Sequence, residues 1–106
     1  MREIKFRAWD SKENRWKYPV WDITNDLSKN NQNYLIFQFT GLQDKNGIDI
    51  YEGDIIKMDN GTLYTIVFRG MGFWFVDSDN EGYVFSPSAY QYEIIGNQFE
   101  NPELLG

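Results

Sequence analysis

The chain of 106 residues carries a formal net charge of −6 and contains neither cysteine nor histidine. Its length corresponds to one domain, and the two missing residue types exclude a disulfide framework, a cysteine nucleophile and a Ser-His-Asp triad. No segment approaches the roughly 20 apolar residues of a membrane span. We expect no secretory leader after Met1 and a cytoplasmic protein without membrane contact.

The first predicted element is a β-hairpin. Over residues 4–9 the apolar side chains of one set alternate with the Lys, Arg and Trp side chains of another. This alternation predicts a strand. We expect the inward face to carry Ile4, Phe6 and Ala8, and the outward face to carry Lys5, Arg7 and Trp9. A polar turn over residues 10–14 would lead into a second strand over residues 15–18, and Pro19 would keep that strand at a sheet edge.

The middle of the chain is expected to hold a polar loop over residues 24–33 and a strand over residues 34–39. Asp44-Lys45-Asn46-Gly47 predicts a tight turn, because Asn and Gly tolerate positive φ. Short strands separated by glycine-containing turns are predicted over residues 48–51, 55–58, 62–68, 73–76, 83–85 and 92–95. A 3₁₀ turn is expected within residues 86–90, and a terminal turn would use Asn101 as N-cap and Pro102 as its first residue.

Many short strands and an aromatic content of 18% indicate an all-β, mainly antiparallel protein. We predict a single domain over residues 1–106, in which residues 53–95 form a small SH3-like or OB-like barrel. Residues 1–52 would add the N-terminal β-hairpin and one strand, and residues 96–106 would form a short helical turn.

Aromatic and basic side chains gather near the N-terminus. The candidate binding residues are Lys5, Arg7, Trp9, Arg15 and Trp16. Aromatic rings beside arginine can stack the bases of single-stranded nucleic acid, but the same residue types also form cores and the centres of protein interfaces. We favour core packing or an interface, and nucleic-acid binding is the alternative, since the overall acidity works against phosphate contacts.

The densest group of carboxylates consists of Asp44, Asp49, Glu52 and Asp54. Such groups can hold a divalent metal and support hydrolysis, but Asp also favours turns. Without histidine, the commonest general base, we expect turn roles and no catalytic residue, metal or cofactor; a carboxylate-metal hydrolase is the remote alternative. Residues 77–82 resemble the start of a calcium loop, but Ser88 stands where the bidentate Glu should be, so we expect a hairpin turn.

Charge is segregated along the chain. Residues 1–17 hold six basic and three acidic residues, whereas no Lys or Arg follows Arg69 and six acidic residues do. Complementary patches steer association between proteins. The pattern is explained most simply by solvated basic and acidic faces lying side by side in one fold; contact between copies in a homo-oligomer and a phosphate-binding face are the alternatives.

Three blocks of the sequence resemble the YopX family of small phage and prophage proteins. The first block is Ile4-Lys5-Phe6-Arg7-Ala8-Trp9-Asp10. The second joins Phe39-Thr40-Gly41-Leu42 and Asp44-Lys45-Asn46-Gly47 to Ile50-Tyr51-Glu52-Gly53-Asp54-Ile55. The third runs from Ile94-Ile95-Gly96-Asn97 to Glu100-Asn101-Pro102-Glu103-Leu104-Leu105.

The resemblance implies a phage- or prophage-encoded protein of the bacterial cytoplasm that self-associates. The family brings no established biochemical activity, so no catalytic residue carries over. Glycines, Asn-Gly and large apolar residues dominate the three blocks, and they are what turns and cores require. We therefore expect a non-enzymatic interaction module whose partners are further copies of itself and a host or phage protein.

Overall fold

The computed structural model describes residues 4–20, 34–59, 61–70, 72–77, 82–84 and 92–105. Within these ranges the strands are β1 (Phe6–Asp10), β2 (Arg15–Val20), β3 (Tyr34–Gln43), β4 (Asp49–Tyr51), β5 (Asp54–Lys57), β6 (Leu63–Arg69), β7 (Gly72–Val76), β8 (Gly82–Val84) and β9 (Glu93–Asn97), followed by a 3₁₀ helix, Pro102–Leu105. Their pairings are antiparallel, which confirms the predicted all-β class.

Some predicted elements cannot be compared with the structure. The polar loop at 24–33, most of the calcium-like turn at 77–82 and the 3₁₀ turn at 86–90 lie outside the described residues. Among the residues that are described, no helix is long and apolar enough to pass through a bilayer.

The first sheet has the strand order β2-β1-β3-β4. The β1–β2 turn forms where predicted, because the carboxylate of Asp10 accepts the backbone N–H groups of Lys12 and Glu13. Asn14 completes the turn with a φ of 56°. β2 lies at an edge of the sheet, as Pro19 indicated.

The predicted orientation of residues 4–9 is wrong at three positions. Ile4, expected to point inward, is 67% exposed, whereas Arg7 and Trp9, expected to point outward, are 2% and 6% exposed. Ala8 is buried as expected. The reason is that β1 lies between β2 and β3, and distant parts of the chain cover the face that carries Arg7 and Trp9.

Strand β3 is longer than predicted because it serves two partners. Its first half pairs with β1 over residues 34–38, and its second half pairs with β4. Between Phe39 and Gln43 the register shifts, and Gly41 adopts a φ of 89° there. A glycine in this conformation forms a bulge that bends a strand without ending it.

The second sheet has the order β8-β7-β6-β5-β9 and curls into a half-barrel. Its last strand lies beside its first, which is the arrangement of a small SH3-like barrel. Its apolar face contributes to a core whose buried members are Ile50, Ile56, Ile66, Phe73, Phe75 and Tyr92. The predicted strands of this region are present, with boundaries shifted by one or two residues.

Two short turns join the sheets. In the Asp44 turn, the backbone N–H of Lys45 donates to the carbonyl of Tyr92, just before β9. Between β4 and β5, the N–H of Glu52 donates to Gln38 in the first sheet, and the N–H of Gly53 donates to Ile66 in the second. The positive φ of Gly53, 92°, permits this sharp change of direction.

Candidate functional site

Arg7 occupies the centre of the junction between the sheets. Its Nη2 donates to Asp54 Oδ1 at 2.7 Å and to the carbonyl of Glu52 at 3.2 Å, while Nη1 donates to the hydroxyl of Tyr18 at 2.9 Å. The side chains of Arg7 and Asp54 are 3% and 4% exposed. A buried, hydrogen-bonded Arg–Asp pair of this kind fixes the relative position of the two strands that carry it.

Aromatic rings surround the Arg7 guanidinium. Its carbon lies 3.7 Å from the ring centroid of Trp16, 5.0 Å from that of Tyr51 and 5.8 Å from that of Tyr18. Rings at these distances attract a cation through their negative faces, most strongly where water is excluded. The guanidinium is therefore neutralised on one side by Asp54 and covered on the other by the ring of Trp16.

A second group of rings extends this packing to the C-terminal part of the chain. Trp9 and Phe99 are stacked, with centroids 4.8 Å apart and planes 8° from parallel, and Phe99 also meets Trp16 and Phe37 edge-on. Phe99 is positioned by the side chain of Asn97, whose Oδ1 accepts the N–H of Phe99. The turn after β9 thus covers the face of β1 that was expected to meet solvent.

The other carboxylate oxygen of Asp54 is also used within the fold. Oδ2 accepts the backbone N–H of Tyr51 at 2.8 Å. Burial raises the pKa of the Asp54 carboxyl, against the lowering effects of the Arg7 charge and the Tyr51 N–H. Both oxygens of this carboxylate therefore have donors from the chain itself.

The five candidate binding residues have different environments. Arg7 and Trp9 are buried, Trp16 is half-buried against Arg7, and Arg15 is exposed in an ion pair with Glu13. Lys5 is half-buried, and its Nζ lies 2.7 Å from Asp49 Oδ2 and 4.7 Å from the ring centroid of Phe39. The structure thus brings Arg7, Trp9 and Trp16 together in the interior, whereas Lys5 and Arg15 stand apart from them.

The four carboxylates considered for a metal site are dispersed. Asp44 Oδ1 accepts the N–H groups of Asn46 and Ile48, and its Oδ2 accepts the N–H of Ile94. Asp49 pairs with Lys5, and Asp54 pairs with Arg7. Over the described ranges, no three acidic side chains come together in a way that could hold a metal ion.

One surface pocket, of about 330 Å³, lies at the edges of the first sheet. It is lined by Lys5, Tyr18, Ile48, Asp49 and Tyr51. Tyr18 on β2 and Tyr51 on β4 come from opposite edges, yet their ring centroids are 5.6 Å apart, so this sheet is strongly curled. Sequence reasoning named Lys5 but missed the other four as one site, because their proximity depends on that curl.

A second pocket, of about 400 Å³, lies on the other sheet, near the β6–β7 turn. Arg69, Gly70, Trp74 and Gly82 line it. Gly82 lies close to this tryptophan, since a Cβ at Gly82 would be 3.4 Å from Trp74 Cε3. The pocket has an apolar floor and one arginine at its margin.

Comparisons with known proteins identify the family. A family model described as YopX protein matches residues 19–106. The crystal structure of protein EF1440 from Enterococcus faecalis is similar over 100% of both chains, with 28% sequence identity and a TM-score of 0.75. No curated protein matches the chain. The family match includes two of the three blocks that carried the resemblance and most of the remaining sequence, and the chain belongs to the YopX family.

Proposed function

We propose that this chain is a non-enzymatic, phage- or prophage-encoded protein-interaction module that assembles with copies of itself in the bacterial cytoplasm. The observation that carries the proposal is the exposure of large apolar side chains at the surface of the protein. In the described part of the chain these are Ile4, Tyr18, Leu35, Ile48 and Phe68. Two of them, Tyr18 and Ile48, line the 330 Å³ pocket. Apolar residues concentrated at one place on a surface are typical of interaction sites.

The polar interior supports the same interpretation. Arg7, Asp54 and Asp44 are buried. Both terminal nitrogens of Arg7 and the carboxylate oxygens of the two Asp residues bond to groups within the chain. They hold the two sheets and the connecting turns in place. Their contribution to function is therefore a rigid surface, which lowers the entropic cost of association because little has to be ordered on binding.

The charge distribution supports contact between copies. The basic residues are concentrated in the first 17 positions, and no Lys or Arg follows Arg69. Patches of opposite sign on one chain attract each other between two copies and steer their encounter. A surface apolar patch with charged groups at its margin has the anatomy of a protein interface.

The proposal is tested by light scattering on the full chain over a range of protein concentrations and salt concentrations. We expect a dimer or larger assembly at high protein concentration, weakened by salt because part of the attraction is electrostatic. A monomer at every concentration and ionic strength would contradict the proposal. Affinity capture from infected or lysogenic cells would then identify the host or phage protein that the same module binds.

A further inference from the structure

We infer that the pocket at the edges of the first sheet binds a proline-rich segment of a partner protein, whose carbonyl oxygens accept hydrogen bonds from Tyr18 and Tyr51. This inference rests on the proposed function of the chain as a protein-interaction module, and it names the chemistry of the partner. It does not depend on self-association. We call the site the tyrosine pocket; it is lined by Lys5, Tyr18, Ile48, Asp49 and Tyr51.

The tyrosine pocket contains a hydroxyl group without a partner. Tyr51 is 4% exposed, yet its Oη forms no hydrogen bond within the described part of the chain. In that part, the enclosed side-chain polar atoms without a partner are Arg7 Nε and Trp16 Nε1, so Tyr51 Oη reaches the surface at the pocket that this residue lines. Polar groups of residues this deeply buried are normally hydrogen-bonded. Burial raises the pKa of the Tyr51 hydroxyl, which therefore keeps its proton and is a donor.

The hydroxyl of Tyr18 is a second donor in the tyrosine pocket. Its oxygen accepts the N–H of Arg7 Nη1 at 2.9 Å, and a phenol accepts and donates at the same time. The bond from Arg7 therefore fixes the oxygen and leaves its O–H for a further acceptor, which no group in the described ranges supplies. The ring centroids of Tyr18 and Tyr51 are 5.6 Å apart, so the two donors belong to adjoining walls of one pocket.

The charges at the tyrosine pocket are already paired, which favours an uncharged ligand. Lys5 Nζ lies 2.7 Å from Asp49 Oδ2, and Gln43 Nε2 donates to Asp49 Oδ1 at 3.1 Å. Arg7, which holds the Tyr18 hydroxyl, is paired with Asp54. Each cation thus has an anion beside it, and both oxygens of Asp49 have donors from the chain. The groups that remain for a ligand are the two O–H donors, so the ligand has to present acceptors.

Proline complements a site of this kind. It is the residue whose backbone offers an acceptor and no donor, and a polyproline II helix leaves its carbonyl oxygens without internal hydrogen bonds. Grooves lined by aromatic side chains bind proline-rich segments through the apolar proline rings. The rings of Tyr18 and Tyr51 lie 73° from parallel and, together with Ile48, which is 52% exposed, they form such a groove. Its volume of about 330 Å³ suits a short segment of peptide.

An NMR titration of the full chain with oligoproline, capped at both ends to remove its charges, tests the inference. We expect saturable shifts of the backbone amide signals of Ile48, Asp49 and Tyr51, from which a Kd is obtained. The control ligand is a capped Gly-Ser peptide of the same length, which has the same number of carbonyl oxygens but adds N–H donors and lacks the rings. Its Kd should be at least about tenfold higher.

Two variants locate the binding on the chain. Tyr51→Phe removes only the unpartnered hydroxyl and should raise the Kd for oligoproline about threefold to tenfold. Tyr34→Phe is its control, because it removes a hydroxyl on β3 outside the tyrosine pocket, and it should change the Kd less than about twofold. Ile48→Ser removes an apolar wall and should raise the Kd about fivefold or more. Its control is Leu35→Ser, since Leu35 is 49% exposed but does not line the pocket.

The outcomes separate this inference from the proposed function. Circular dichroism checks that each variant is folded, and the exposed position of Ile48 keeps the test decisive if Tyr51→Phe does not fold. Binding that neither Tyr51→Phe nor Ile48→Ser weakens would overturn the inference, as would equal binding of the Gly-Ser peptide. If oligoproline does not bind while light scattering shows assembly, the inference is overturned and the proposed function stands. A chain that binds oligoproline in the tyrosine pocket but remains a monomer supports the inference and contradicts the proposed self-association.

Discussion

Arg7 Nη2 and Asp54 Oδ1 lie 2.7 Å apart in the interior, and this ion pair fastens the first strand of one sheet to the first strand of the other. The two residues are 47 positions apart in the chain. Between them lie Glu52 and Gly53, whose backbone groups bond to both sheets. The ion pair, the aromatic rings around it and this turn together set the angle at which the sheets meet.

Loss of Arg7 should therefore destabilise the whole domain. Arg7→Ala would leave Asp54 as an unpaired buried carboxylate, and we expect a loss of about 3–5 kcal/mol in the free energy of unfolding. Arg15→Ala is the matched control, since the side chains of the Arg15–Glu13 ion pair are 62% and 51% exposed, and its effect on the free energy of unfolding should be much smaller because water screens an exposed pair. Urea denaturation followed by tryptophan fluorescence measures both. Equal losses in the two variants would contradict a structural role for the buried pair.

The turns were the part of this fold most accessible to sequence reasoning. Asp44-Lys45-Asn46-Gly47 forms the predicted turn, and Gly47 has a φ of 79°. A turn is predictable because its requirements are local: a side chain that caps nearby N–H groups and a residue that tolerates positive φ. The long-range bond from Ile94 to Asp44 Oδ2 has no local signal, so its contribution to the fold could not be foreseen.

The interior position of Arg7 could not be predicted for a related reason. Alternation along β1 separates two faces, but it does not say which face another part of the chain will cover. The groups that cover Arg7 come from β2, from the β4–β5 turn and from β5. Because an arginine is usually exposed unless paired, its pairing with Asp54 had to be seen in three dimensions.

The three sequence blocks that carry the family resemblance meet at this junction. Arg7 belongs to the first block and Asp54 to the second. The third block begins just before Gly96 and ends in the 3₁₀ helix. Gln98, within the span of the third block, donates its backbone N–H to the carbonyl of Gly53. The residues of the three blocks therefore include those that join the two sheets. For that reason the family resemblance was informative about the architecture and gave no information about which surface binds a partner.

Gly96 is expected to be intolerant of any side chain. A Cβ at this position would lie 2.5 Å from Asn101 Oδ1, the oxygen that accepts the N–H of Asn97. Gly96→Ala should lower the free energy of unfolding by about 1–3 kcal/mol through overpacking. Gly72→Ala is a suitable control, because a Cβ there would meet nothing within 4 Å.

A double variant distinguishes this clash from a loss of backbone freedom. Asn101→Gly removes the side chain that Gly96→Ala would strike, so the double variant should lose less stability than the sum of the two single variants. Thermal unfolding followed by circular dichroism measures the three differences. Strict additivity would show that Asn101 is not the cause.

Glu52 should give the stability a measurable pH dependence. Burial raises the pKa of its carboxyl, against the lowering effects of the N–H groups of Gln38 and Phe68 and of the Arg7 charge. A carboxyl with a raised pKa binds its proton more tightly in the folded than in the unfolded chain. The free energy of unfolding should therefore rise as the pH falls from neutrality through the raised pKa, and this contribution should level off below about 4.3, the unfolded value.

Glu52→Gln should reduce the rise in the free energy of unfolding as the pH falls. The buried Asp54 carboxyl, whose pKa is also raised, should still contribute to that rise. Urea denaturation at several pH values between about 7 and 5, above the ordinary carboxyl pKa, measures the slope at fixed protein concentration. Glu103→Gln, which alters an exposed residue of the 3₁₀ helix, is the control and should leave the slope unchanged. An unaltered slope in Glu52→Gln would assign the pH dependence to other groups.

Binding of single-stranded nucleic acid by the N-terminal hairpin is expected to be undetectable, even at low salt. Stacking of bases requires an accessible aromatic face beside a cation, but Trp9 and Arg7 are 6% and 2% exposed, and Phe99 already stacks on Trp9. A fluorescence titration with labelled oligonucleotides at low and high salt measures the binding directly. Binding at low salt that is weakened by Arg15→Ala would contradict this expectation. The control is Lys57→Ala, which removes an exposed cation of β5 and should have no comparable effect. The hairpin would then bind phosphate through its exposed arginine, with the buried rings serving only as its support.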